Sequence, residues 1–61
     1  MIREIAIIGK KPAALVEISR KYLLALSQEE MEVVQAHFSR LGRNPTDIEL
    51  EMIAQTWSEH C

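Results

Sequence analysis

The 61-residue sequence predicts a small, mainly α domain. Three observations lead there. Two stretches, Ser27 to Glu30 and Thr46 to Glu49, carry the Ser/Thr-x-x-Glu pattern of a capping box, in which hydroxyl and carboxylate each satisfy a backbone N–H of the first turn. Each opens a run with apolar residues at helical rather than alternating spacing. Between the runs, "LGRNPT" supplies the glycine and proline that punctuate a short connection.

The elements follow in order. "MIREIAII" is rich in β-branched residues, with Ile2, Ile5, Ile7 and Ile8 around Arg3 and Glu4 and Gly9 as terminator, which reads as a short strand. A lone strand must pair with another chain, pair with further sequence, or lie along the helices. Pro12 suits the first turn of a helix, and "AALVEISRKYLLAL" after it repeats Leu15, Ile18, Tyr22, Leu23 and Leu26 at helical spacing. A short helix is expected here, with room for a break into an extended piece.

Residues 28–41 are expected to form a helix signalled at both ends. Ser27 and Glu30 cap its start, and Glu29 and Glu30 suit the positive end of its dipole. Met31, Val34, Phe38 and Leu41 form one apolar stripe, with Val33 and Ala36 beside it. Arg40 lies in the last turn, and Gly42 stands where a left-handed C-cap belongs. After "RNP" a second helix is expected over about 47–60. Ile48, Met52, Ile53, Thr56, Trp57 and His60 share one side, and Leu50, Ala54 and Cys61 share an adjoining flank. So short a connector implies an αα-hairpin or corner. This last helix has a start signal and no stop signal, and Glu59 is unfavourable at the negative end of its dipole. The expectation is a chain that continues beyond Cys61.

Size and charge narrow the function. A domain of this length buries only ~60% of the surface its unfolded chain exposes. Such chains usually depend on a disulfide, a metal or a partner, and with one cysteine no internal disulfide is possible. The net charge of −2 gives no attraction for nucleic acid or an anionic membrane. No apolar run approaches the ~18 residues of a membrane span. A reducing, cytoplasmic setting is the expectation.

The densest chemistry is the closing "TWSEHC". On a helix Trp57 lies one turn below His60 and Cys61, so the indole can pack under the imidazole. A partly shielded histidine at a helix end suits general acid/base work or donation to developing negative charge. Against this, Trp57 is more commonly core and Cys61 a small buried hydrophobe. A helix C-terminus also raises a thiol's pKa instead of activating it. His37, His60 and Cys61 are the soft ligands present, and adjacent His60 and Cys61 do not have a zinc-chelating spacing. His37 reads as a surface or boundary residue.

Two other classes compete. The stripe Met31, Val34, Phe38, Leu41 could mark an independent helical protein-interaction module, although such a stripe normally serves a small domain's own core. The pair of helices also resembles a helix-turn-helix DNA-binding domain, as in bacterial sigma factors. Its recognition helix, however, would carry Asp47, Glu49, Glu51 and Glu59 and no Lys or Arg, and phosphate repels such a helix.

The run "LGRNPTDIELEMIAQTWSEHC" resembles the linker region leading into the synthetase domain of phosphoribosylformylglycinamidine synthase, the formylglycinamide ribonucleotide amidotransferase of purine biosynthesis. Gly42, Arg43, Pro45, Glu49, Leu50 and Trp57–Cys61 match the pattern; "LALSQEEMEVVQAHF" matches more loosely. The resemblance covers about residues 23–61 and implies a helical linker domain there. Residues 1–22 are then the junction with an upstream accessory segment. It further implies a parent ligase that uses ATP and Mg²⁺ to activate the formyl amide oxygen as an iminophosphate. Ammonia from a glutaminase domain or subunit then displaces phosphate. The catalytic histidine of the pattern maps onto His60, whose imidazole would stabilise charge on the amide oxygen. The basic residues, Mg²⁺ ligands, phosphate loops and glutaminase nucleophile of the family are absent, and Cys61 is not that nucleophile. The piece alone is therefore expected to bind no cofactor and catalyse nothing. Its partners would be the rest of the synthetase chain, the glutaminase and the accessory segment, with neither nucleic acid nor membrane.

Overall fold

The computed structural model describes residues 2–57. Three helices follow one another: α1 over Pro12–Lys21, α2 over Gln28–Leu41 and α3 over Asp47–Trp57. Both capping boxes form. Ser27 Oγ accepts from Glu30 N at 3.1 Å while Glu30 Oε1 accepts from Ser27 N at 2.8 Å. Thr46 Oγ1 accepts from Glu49 N at 3.1 Å and Glu49 Oε1 from Thr46 N at 2.9 Å. Gly42 ends α2 at φ +77°, a left-handed conformation in which a Cβ is strained. Its N–H donates to Phe38 O and Ser39 O.

α1 starts at Pro12 and ends at Lys21 with Tyr22 as its C-cap, and the chain then passes through a turn and irregular backbone to Ser27. The break is built around Ser19. Its buried hydroxyl donates to Leu26 O and accepts from Leu26 N, both at 2.9 Å, so one side chain takes the place of a backbone partner. Leu24 N donates to Ser19 O at 2.8 Å. This closure forces Leu23 and Ala25 to positive φ, +57° and +59°. Leu24 and Leu26 enter the core, whereas Leu23 stands 88% exposed.

The N-terminal segment is extended but is not the strand expected of it. Among the described residues its ladder pairing is a single antiparallel bridge, Glu4 with Thr46. The reason is that its partner is the connector into α3, and from Asp47 onward the backbone is committed to the helix. The segment thus lies along the helices. A turn with Gly9 at φ +80° and a Lys10 N to Ile7 O bond of 3.2 Å redirects it into α1.

The core is one cluster: Ile5, Ile7, Leu15, Leu24, Leu26, Met31, Val34, Phe38, Leu50 and Ala54. It therefore draws on both sides of position 22. The α2 stripe enters it through Met31, Val34 and Phe38, which makes the stripe core and not a free binding face. Leu41, past the edge of the packed region, is exposed. In α3 the buried flank is the Leu50–Ala54 one; Ile48 and Met52 face outward, and Ile53 and Trp57 are partly buried against the cluster. Among the described residues, α1 and α2 are the helices whose Cα traces come within 8 Å of each other. α2 and α3 therefore form a corner, splayed apart, in place of a close-packed hairpin.

Two substitutions separate these roles. Leu15→Ala, at a side chain with no exposure, should cost about 2–5 kcal/mol. Leu23→Gly should be neutral or stabilise by up to about 1 kcal/mol, because it relieves a left-handed φ at the expense of unfolded-state entropy. Chemical denaturation of the chain measures both.

Candidate functional site

The corner between α2 and α3 gathers most of the specific polar contacts. Gly42 turns the chain and places Arg43 over the end of α2, its guanidinium carbon 5.3 Å from the centre of the Phe38 ring. The same guanidinium grips Glu49 with two bonds, Nη1 to Oε1 at 2.9 Å and Nη2 to Oε2 at 2.8 Å. Such a fork fixes direction as well as distance. Glu49 therefore has two tasks: it completes the capping box of α3 and anchors Arg43, which rests on α2. The Arg43 hydrogen bonds, then the Thr46 N–H, hold the Glu49 carboxyl down at about 2, below its ordinary value of 4.5. The bond to Glu49 raises the Arg43 pKa in turn. The pair is partly exposed, so water and salt weaken it.

The connector also holds the N-terminal segment. Asn44 Oδ1 accepts from two consecutive backbone donors, Ile7 N at 2.9 Å and Ile8 N at 3.0 Å. Pro45, fully buried, accepts from Ile5 N at 2.8 Å. Asp47 N donates to Arg3 O at 2.8 Å, and Asp47 Oδ1 accepts from Arg3 N at 3.2 Å. From the middle of α2, Gln35 Nε2 donates to Ile7 O at 2.8 Å and Lys10 O at 2.9 Å.

Beyond the corner the two helices diverge around an apolar groove of about 460 Å³, lined by Val33, Val34, His37, Met52, Ile53, Thr56 and Trp57. Met52 is 63% exposed and Val33 is also exposed. His37 lies on this rim as a surface residue, its ring edge-on to Phe38 at 5.1 Å. Trp57, the last described residue, is half-buried and packs on the core. His60, with Ser58, Glu59 and Cys61, lies outside the described residues. No group of three or more His, Cys, Asp or Glu among the described residues is placed to hold a metal ion. No helix among the described residues is long and apolar enough to cross a membrane.

The sequence matches the formylglycinamide ribonucleotide amidotransferase linker domain over residues 15–61. The chain belongs to that family. It is also 48% identical, over all of its 61 residues, to phosphoribosylformylglycinamidine synthase subunit PurL of Thermoplasma acidophilum, and spans about 8% of that relative's length. No solved structure matches it.

The linker family's pattern acquires a physical meaning in this geometry. Gly42, Arg43, Pro45, Glu49 and Leu50 all build the corner: the left-handed turn, the fork, the buried proline and the buried first-turn leucine. They are scaffold. Sequence reading missed Asn44 and Gln35. The available hint was an asparagine in a Pro-containing connector, a residue whose amide often bonds to nearby backbone. Nothing local announces that its target lies 37 residues upstream.

The depressed carboxyl makes the corner sensitive to acid. A group whose pKa is lowered on folding stabilises the fold above its ordinary pKa and loses that contribution as pH falls through the folded value. The window here runs from about 4.5 down to about 2. Carbon-detected titration should give the Glu49 carboxyl a midpoint near 2, and Arg43→Met should move it up toward the ordinary range.

Proposed function

We propose that this chain is the linker of the ATP-dependent amidotransferase that makes formylglycinamidine ribonucleotide from formylglycinamide ribonucleotide and glutamine in purine biosynthesis. In that enzyme, a cytoplasmic one, α3 carries His60 to the synthetase active site. The observation that supports this best is the family match through residue 61, which includes the Trp57–Cys61 run, together with the build of α3. α3 is capped and forked at its start and packed through Trp57 at its last described turn. It is a supported arm, and its pattern histidine comes three positions after the last described residue.

The imidazole of His60 would sit beside the amide oxygen of the formylglycinamide and stabilise the charge that builds there, by donating a hydrogen bond or a proton. The parent reaction uses ATP and Mg²⁺. Both belong to the rest of the synthetase, and a glutaminase domain or subunit supplies ammonia. Residues 1–22 form the junction toward an accessory segment, and residues 23–61 form the linker proper. The apolar groove of Val33, Met52 and Trp57 is the face on which the remainder of the synthetase chain docks. It runs alongside α3 up to Trp57, and most of the relative's length lies outside the matched part.

Two measurements on the full-length enzyme check the reading. His60→Ala should lower synthetase turnover by roughly 10²–10⁴-fold while glutaminase turnover stays near normal; unchanged synthetase turnover removes the catalytic assignment. Met52→Glu, which places a charge in the groove, should weaken the packing of linker on synthetase and lower the protein's melting temperature. An unchanged melting temperature counts against the docked face.

A further inference from the structure

Resting on that reading, we infer that Asn44 and Gln35 are positioning residues for His60: together they clamp the backbone of Ile7 and so fix the direction in which α3 leaves the corner. The geometry points to this because the two helices do not meet backbone to backbone. Within the described residues no Cα of α2 comes within 8 Å of one in α3, and an apolar groove opens between them. Core side chains and the Arg43 fork join them, and the N-terminal segment adds a third link.

The N-terminal segment spans the gap. The peptide groups on either side of Ile7 are held from opposite sides. The N–H of Ile7 goes to Asn44, in the connector that feeds α3, and its carbonyl goes to Gln35, in the middle of α2. Each amide works twice, Asn44 on Ile8 N and Gln35 on Lys10 O as well. The Ile7 side chain is itself fully buried, so the clamped point is also anchored in the core. Ile5 N to Pro45 O and the Arg3–Asp47 pair extend the same seam into the first residue of α3. The result is a strut from α2 to the base of α3. A small change of angle at that base is magnified over the length of the helix, roughly 1.5 Å of rise for each of its residues. Displacements near 1 Å at a reacting centre are large enough to cost ~10²-fold in rate.

Gln35 and Asn44 touch no groove residue through these bonds, so their effect on chemistry runs through the strut alone. Asn44→Asp keeps the accepting oxygen; Asn44→Ala removes it. Gln35→Met keeps the length of the side chain and removes its donors. The arm is directed by acceptor and donor, not by side-chain bulk, and the conservative variant should therefore rescue.

The test uses the full-length enzyme carrying Asn44→Ala, Asn44→Asp, Gln35→Met or His60→Ala, with synthetase kcat, KM for ATP, glutaminase kcat and melting temperature measured for each. The expected result is a fall of about tenfold or more in synthetase kcat for Asn44→Ala and Gln35→Met. Glutaminase kcat and KM for ATP should be unchanged, and Asn44→Asp should recover most of the lost turnover. A structural defect alone would lower the amount of active enzyme and depress both activities together. If Asn44→Ala does not fold, Gln35→Met carries the comparison. Wild-type synthetase kcat in Gln35→Met and Asn44→Ala, with His60→Ala inactive, overturns the strut and leaves the histidine assignment standing. Wild-type kcat in His60→Ala overturns both.

Discussion

The backbone around Ile7 lies between two carboxamides, Asn44 on one side and Gln35 on the other, and the arrangement of this domain depends on that clamp. Hydrogen bonds of this kind are individually modest, about 0.5–1.5 kcal/mol net. Their weight here comes from what they join. α2 and α3 do not approach backbone to backbone within the described residues, so they meet through side chains of the shared core. A strap that is pinned to both helices and buries Ile5 and Ile7 beneath them reinforces that packing. The removal of the Asn44 amide would leave the part-buried Ile7 N–H without its partner, which costs more than the bond contributes, whereas the Ile7 carbonyl keeps its bond from Lys10 N when Gln35 is changed.

The economy of a 61-residue chain explains why the strap is recruited. Three short helices alone offer a thin core, and the ten residues of the cluster come from every part of the molecule: two from the strap, one from α1, two from the segment after it, three from α2 and two from α3. The segment after α1 is held to the core by the Ser19–Leu26 exchange and the Leu24 N to Ser19 O bond, with Leu23 and Ala25 at left-handed φ values. Strain of that sort, of order 1–3 kcal/mol per residue, persists where surrounding packing over-determines the backbone. Leu24 and Leu26, buried on either side of Ala25, are that packing.

Local signals were legible and long-range ones were not. The two capping boxes, the proline at the start of α1 and the left-handed glycine after α2 each depend on residues within four positions, and all four stand as the sequence indicates. The N-terminal segment was read as a strand because β-branched residues fit extended backbone wherever it lies. Composition does not reveal that its partner is a connector and not a sheet. Spacing divided α3 into two flanks without deciding between them: Ile48, Met52 and Ile53 outweigh Leu50 and Ala54 in apolar bulk, yet the smaller flank is the one that faces the core. Of the candidate site, the corner residues Gly42, Arg43, Pro45 and Glu49 were visible as a pattern; their physical roles, and those of Asn44 and Gln35, required the fold. His60 was singled out by its chemistry, an imidazole following a tryptophan by three, and by the resemblance of the Trp57–Cys61 run.

The family pattern therefore divides along α3. Its first part, Gly42 to Leu50, is geometry: a turn, a fork, a buried proline and a first-turn leucine that together fix where a helix begins. Its last part begins at Trp57, whose ring packs on the core and faces the groove. The stretch between, Glu51 to Thr56, gives Ala54 to the core and Met52, Ile53 and Thr56 to the groove. Arg43 illustrates the coupling. By resting on Phe38 while gripping Glu49, it ties the last turn of one helix to the first turn of the next through a single planar group. A lysine there would keep the charge but lose the fork. The helix would keep its cap from Thr46, and only its direction would be less well defined.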